Sequence, residues 1–140
     1  MKAERARLLR LQRLERLRAY AMQAAAVDSA QAESTLAQLE ALAARTRLLA
    51  ADYTRRSAAS DGAALQQVAR FASGLLGISA STLLDADRAR QLADGRRTAL
   101  HEAESRRAAA QDRAEAQSRN LGKAEPQPSG ARRALGTGLE

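Results

Sequence analysis

KAERARLLRLQRLERLRAYAMQAAAVDSAQAESTLAQLEALAARTRLLAADYTRR, residues 2–56, contains neither glycine nor proline. The residues that dominate this stretch, Ala, Leu, Arg, Glu and Gln, are strong helix formers. An uninterrupted run of that kind predicts a single helix, and at a rise of about 1.5 Å per residue it would be about 80 Å long.

The composition of the whole chain points the same way. Of its 140 residues, 45% are hydrophobic but only 2% are aromatic, and nearly all of the aliphatic residues are Ala or Leu. Strands favour β-branched and aromatic residues, so this chain cannot fill a sheet core. We therefore predict an all-α fold.

Apolar residues within the first stretch recur in steps of three and four, which predicts a coiled-coil seam with one stutter near Asp28. The predicted seam positions are Leu14, Leu17, Ala21, Ala24, Asp28, Ala32, Thr35, Leu39, Leu42, Thr46, Leu49 and Tyr53. A second seam is predicted at Ala86, Ala89, Ala93, Arg96, Leu100, Ala103, Arg107, Ala110, Ala114, Gln117 and Leu121. Each seam needs a partner helix, because neither stripe can be buried alone.

The glycines set the predicted breaks. A turn is expected at 57–62, and a short helix over about 63–76 should end at Gly74 and Gly77. Ser79 or Ser81 would then cap a second long helix over about 82–121.

These elements predict one domain, residues 1–122, in which helices of about 2–57 and 82–121 pack as an antiparallel coiled-coil hairpin. The short helix would lie at the bend. Residues 123–140 are rich in Gly, Pro and Ser, and we predict a disordered tail there.

The inventory of reactive side chains argues against an enzyme. There is no cysteine and only one histidine, His101, so neither a metal site nor a catalytic triad can be assembled, and no phosphate-binding glycine loop is present. We predict no catalytic residue, no metal and no cofactor. No apolar run is long enough to span a membrane and the N-terminus does not resemble a secretory signal, so a cytoplasmic location is expected.

The net charge of +7 is unevenly distributed, since residues 1–18 carry seven basic and two acidic side chains. A basic end predicts either an acidic partner or simply a well-solvated helix terminus. The basic residues wind around the helix without interleaved aromatics, so specific nucleic-acid binding is not expected. At the predicted bend, Phe71, Leu75 and Ile78 share a helix face, as either a structural cap or a partner contact.

Two local patterns resemble segments of a known family. Gln38-Leu39-Glu40-Ala41-Leu42 is similar to the Gln-Leu-x-x-Leu segment of the flagellar type III export stalk family, FliJ. Gln66-Gln67 and Phe71-x-x-x-Leu75 are similar to its segment near the bend. Arg45 and Leu49 stand where the family usually has tyrosines, and Ile78 and Thr82 replace an alanine and a histidine.

The resemblance implies a non-enzymatic stalk and adaptor that links the export ATPase ring to the membrane export gate and to export chaperones. It implies gate contacts at Gln38, Leu42, Phe71 and Leu75, and membrane association through partners only. Together with the charge, it suggests that Arg5, Arg7, Arg10 and Arg13 face the ATPase. The alternative is a generic coiled-coil scaffold, such as a nucleoid- or cell-division-associated protein.

Overall fold

A computed structural model describes residues 1–56 and 62–125. Two helices occupy almost all of these residues: α1, Lys2–Arg56, and α2, Gly62–Ala124. No strand occurs within the described ranges, so the all-α prediction is confirmed. The predicted turn residues 57–61 and positions 126–140 of the predicted tail lie outside the described residues.

The two helices pack against each other in antiparallel orientation. Arg5 near the start of α1 forms an ion pair of 2.7 Å with Glu125, the residue that follows α2. Towards the other end, the rings of Tyr53 and Phe71 meet with their centroids 4.7 Å apart. Residues later in α1 therefore contact residues earlier in α2, which confirms the predicted antiparallel hairpin.

The α1 seam differs from the predicted one. Its positions follow an unbroken alternation of three and four residues, without a stutter. They are Leu8, Leu11, Glu15, Arg18, Met22, Ala25, Ser29, Ala32, Leu36, Leu39, Ala43, Thr46, Ala50 and Tyr53, all buried or half-buried. Seven residues predicted on this seam are exposed, with Leu17 at 64% and Leu49 at 43%: Leu17, Ala21, Ala24, Asp28, Thr35, Leu42 and Leu49.

The α2 seam lies where the sequence predicts it. Ala86, Ala93, Ala110, Ala114 and Leu121 are buried, and the predicted positions between them are half-buried apart from Arg96, which is exposed. The same spacing continues towards the bend through Thr82, Ser79, Leu75 and Ala72. The α2 seam is therefore longer than predicted.

The interior between the helices is built from small side chains. Among the described residues, eight of the nine buried hydrophobic side chains are alanines, and the four buried polar ones are Ser29, Thr46, Ser79 and Thr82. The Thr46 and Thr82 hydroxyls donate to carbonyl oxygens one turn earlier in their own helices, which satisfies them inside the seam. Small residues at the buried positions of the seam allow the two backbones to approach closely there.

The predicted short helix at the bend is wrong as a separate element, because α2 is continuous from Gly62 to Ala124. Gly74 and Gly77 lie inside α2 and do not end a helix, and Ser79 is not a cap. Its hydroxyl donates instead to the Ala43 carbonyl oxygen of α1 at 3.0 Å. Packing of the seam against α1 compensates for the glycines, which each cost about 1 kcal/mol in a helix. Lys123 and Ala124, predicted in the tail, also belong to α2.

We expect Gly77→Ala to raise the free energy of unfolding by about 0.5–1 kcal/mol, because alanine restricts the unfolded chain and favours helix. A Cβ at Gly77 would meet no other atom within 4 Å, so the substitution introduces no clash. Thermal unfolding followed by circular dichroism measures the change. Gly95→Ala is the matched control, since Gly95 is equally open and lies within the second helix in both the predicted and the observed fold. A lower melting temperature for Gly77→Ala alone would show that the helix ends at Gly77.

Candidate interaction surfaces

Large apolar side chains flank the seam along one edge of the bend half. Leu42 and Leu49 each precede a seam residue of α1, and Phe71 and Ile78 each precede one of α2. The antiparallel register brings these four residues to the same side of the hairpin. All four are about half exposed. We call them the Phe71 edge.

Phe71 is anchored on its inner side and open on its outer side. Its ring meets Tyr53 edge-on, with an interplanar angle of 71°, and the side chain keeps 50% of its surface exposed. A shallow depression of about 260 Å³ lies beside it, lined also by Gln67 and Val68. Phe71 therefore packs on α1 without being buried, and its free face can still contact another molecule.

The structure brings together two of the four predicted gate contacts. Leu42 and Phe71 belong to the Phe71 edge, while Gln38 is exposed on α1 one turn before Leu42. Leu75 points into the seam and is half-buried, so it is less accessible than its neighbours. Ile78 belongs to the helix face, with Phe71 and Leu75, that the sequence offered as either a cap or a partner contact, whereas Leu49 was predicted on the seam and not as a contact. No sequence signal indicated Leu49 at this edge, because the pattern placed Leu49 inside the seam.

The opposite end of the hairpin is strongly basic. Arg5, Arg7, Arg10 and Arg13 are all exposed, and Arg5 pairs with Glu125. The fold also places residues 106–125, with five basic and three acidic side chains, beside residues 1–18. Residues 19–105 carry nine basic and ten acidic side chains, but these are uneven: residues 42–83 around the bend carry five basic and two acidic side chains, so the open end has the larger of two positive excesses.

A cleft at the open end gathers cationic side chains from both helices. Its volume is about 230 Å³, and its lining includes Arg18, Arg106 and Arg113. Beside it on α2, the buried Nε of Arg107 has no hydrogen-bond partner within the described residues. The sequence pattern of the first 18 residues did not reveal this cluster, since Arg106 and Arg113 come from α2.

The residues needed for metal chemistry are scattered. Within 1–56 and 62–125, no group of three or more His, Cys, Asp or Glu side chains lies close enough to hold a metal ion. His101 is exposed, and its Nδ1 lies 3.5 Å from a carboxylate oxygen of Glu104 on the same helix.

Neither α1 nor α2 is apolar enough over a sufficient length to cross a membrane, as judged over the residues that the structure describes.

Comparison with known proteins gives no relative. No protein-family model matches the chain, and neither the curated proteins nor the solved structures contain a significant match. What can be said of function therefore depends on the surfaces described above.

We expect Phe71→Ala to lower the free energy of unfolding by about 2 kcal/mol, which combines the buried half of the side chain with the lost aromatic pair. The side chain is half exposed, so the change leaves no closed cavity. Leu75→Ala, four residues further on and half-buried in the seam, should cost a similar amount, about 2 kcal/mol. Chemical denaturation of both variants measures both losses. A loss of about 3 kcal/mol or more for Phe71→Ala would contradict the open position of the ring.

Proposed function

We propose that the chain is a non-enzymatic stalk and adaptor of the flagellar type III export apparatus. In this proposal its partners are the export ATPase, the export gate and export chaperones, and no cofactor takes part. The protein works in the cytoplasm and associates with the inner membrane only through those partners. The observation that carries the proposal is the separation of two chemically different surfaces on one thin rod.

The first surface is the basic open end. A rod whose larger positive excess lies at one end favours oriented docking, because an acidic partner attracts that end more strongly than the acidic middle or the less basic bend. In the proposed role this partner is the ATPase ring, and the ends of both helices enter it. The exposed side chains of Arg5, Arg7, Arg10 and Arg13 are available for that contact.

The second surface is the Phe71 edge. Half-exposed Leu, Ile and Phe side chains grouped at one place are typical of a protein contact site. Leu42 lies 32 residues from Arg10 along α1, which is about 48 Å at the helical rise. A contact with the export gate at this edge is therefore compatible with simultaneous insertion of the open end into the ATPase.

The absence of a thick core also fits a stalk. Two helices that pack on alanine make a narrow rod, and a narrow rod suits the axial channel of a hexameric ring. Local Gln-Leu-x-x-Leu and Phe-x-x-x-Leu patterns at Gln38–Leu42 and Phe71–Leu75 support the same assignment.

Reversing the charge of the open end should weaken ATPase binding. We expect the combined variant Arg7→Glu, Arg10→Glu and Arg13→Glu to bind the ATPase with a slower association rate and a smaller salt dependence. Helicity should stay unchanged, since the three side chains are exposed. Binding kinetics at several salt concentrations measure both effects.

The matched control reverses three exposed arginines that lie away from the open end: Arg45→Glu, Arg56→Glu and Arg70→Glu. It carries the same change in net charge. If both triple variants lose equal affinity, or if neither does, the open end is not the ATPase contact.

A charge placed on the Phe71 edge should disrupt gate binding. We expect Ile78→Asp to weaken binding of the chain to the purified gate domain at least tenfold, since it puts a charge into an apolar contact. Leu84→Asp is the control, because Leu84 is even more exposed but lies outside this edge. Swimming of a strain that carries only the variant gives a second readout. Gate binding that falls equally with both changes would count against the Phe71 edge.

A further inference from the structure

The edge of the hairpin opposite the Phe71 edge begins as a ladder of ion pairs. Glu33 and Glu40 each follow a seam residue of α1, and they face Arg97 and Arg90 on α2. The Glu33–Arg97 pair measures 2.7 Å. The hydrogen bond to Glu33, and then its negative charge, raise the pKa of the Arg97 guanidinium above its ordinary value. The two pairs are seven residues apart on each helix.

The next step of the ladder breaks the pattern. Seven residues beyond Glu40 stands Arg47, and seven residues before Arg90 stands Leu83. A cation therefore occupies a position where the two preceding rungs have carboxylates, and it faces a leucine. Arg47 forms no ion pair within the described residues. At the following rung Thr54 lies opposite Leu76, so the rest of this edge is apolar on α2.

This open part of the edge forms a groove. Two adjoining hollows of about 440 and 390 Å³ follow each other along it, and Arg47 and Ala51 line both. Small residues make much of its floor, including Ala43 and Ser79. Its walls are Leu48, Leu76 and Leu83, with Leu83 49% exposed. We call this the Arg47 groove. Its α1 side runs from Glu40 to Arg55, about 22 Å or four helical turns.

We propose that the Arg47 groove binds an amphipathic helix of a partner protein that carries a carboxylate opposite Arg47. The small residues of the floor leave room for the side chains of a third helix. Apolar side chains at i, i+4 and i+7 of that helix would pack against Leu48, Leu76 and Leu83, which is the helix-in-groove mode of recognition. A carboxylate would give Arg47 the partner that Arg90 and Arg97 already have.

A second copy of the chain fits the groove less well. A symmetric dimer through this surface would bring Arg47 and Arg55 of one copy towards the same residues of the other. Asp52 is already used by Arg55 at 3.1 Å, and Glu40 by Arg90, so these nearby acids have other partners. Like charge without compensation disfavours this pairing. The groove lies across the seam from the Phe71 edge, and its occupancy does not depend on the proposed export role.

The probe for the experiment is a synthetic helical peptide of about 18 residues, or five turns. It has Leu at positions i, i+4 and i+7, and Glu residues next to this apolar face so that a carboxylate can reach Arg47. A second peptide has Lys in place of each Glu. Fluorescence anisotropy measures binding of both peptides to the full chain. We expect the Glu peptide to bind and the Lys peptide to bind at least tenfold more weakly.

Arg47→Glu should reverse that preference, because the variant then attracts the Lys peptide and repels the Glu peptide. Arg45→Glu, the same change two residues earlier on another face of α1, should leave the preference unchanged. Leu83→Glu should abolish binding, while Leu84→Glu should not. The triple variant of Arg7, Arg10 and Arg13 should also bind the Glu peptide normally, which separates this site from the basic open end.

Three results would overturn the proposal. The first is failure of the Glu peptide to bind the folded chain. The second is a preference that Arg47→Glu does not reverse, or that Arg45→Glu changes equally. The third is a dimer of the chain in sedimentation experiments that Leu83→Glu dissociates and Leu84→Glu does not, since the groove would then be occupied by a second copy.

Discussion

Close packing of α1 on α2 through alanine and serine is the constraint on which the rest of the structure depends. A seam of small residues buries little apolar surface per residue, so its stability comes from length and from the near-continuous 3-4 repeat. The Ser79 hydroxyl reaches the Ala43 carbonyl oxygen only because the backbones are near each other. The seam residues on either side of Gly74 and Gly77, among them Ala72 and Ser79, are buried against α1, and α2 stays helical across both glycines despite their low helix propensity.

This packing also decides where the large apolar residues lie. A leucine at the position of Ala43 or Ala93 would force the helices apart, so most leucines of the bend half stand beside the seam, while Leu75 lies half-buried in it. They divide between two sides of the rod, one of which contains Phe71 and the other Arg47. The stability of the hairpin and the presence of two apolar surfaces are therefore consequences of one arrangement.

Charged side chains, like the large apolar ones, are distributed unevenly along the rod. In the middle third, two ion pairs join α1 to α2 along one edge: Glu33–Arg97 and Glu40–Arg90. Such exposed pairs contribute more to the register of the two helices than to the free energy of unfolding. The open end carries the larger positive excess, and in the bend half Arg47 and Arg55 stand beside exposed leucines. The ion pairs of the centre thus lie between a strongly basic end and a half that combines apolar side chains with a few arginines, and each offers a different chemistry to a partner.

The sequence by itself determined the fold class, the antiparallel pairing and the α2 seam. Helix formers without glycine or proline leave one local conformation, and the regular alanines from Ala86 to Ala114 mark one face. Only the tertiary structure decided the α1 seam, because Leu17, Leu42 and Leu49 are stronger hydrophobic signals than the alanine and serine that pack. It also decided the continuity of α2, since contacts with α1 outweigh the local cost of two glycines. The Arg47 groove and the basic cluster at Arg18 and Arg106 combine residues from both helices, and their proximity exists only after the chain has folded back on itself.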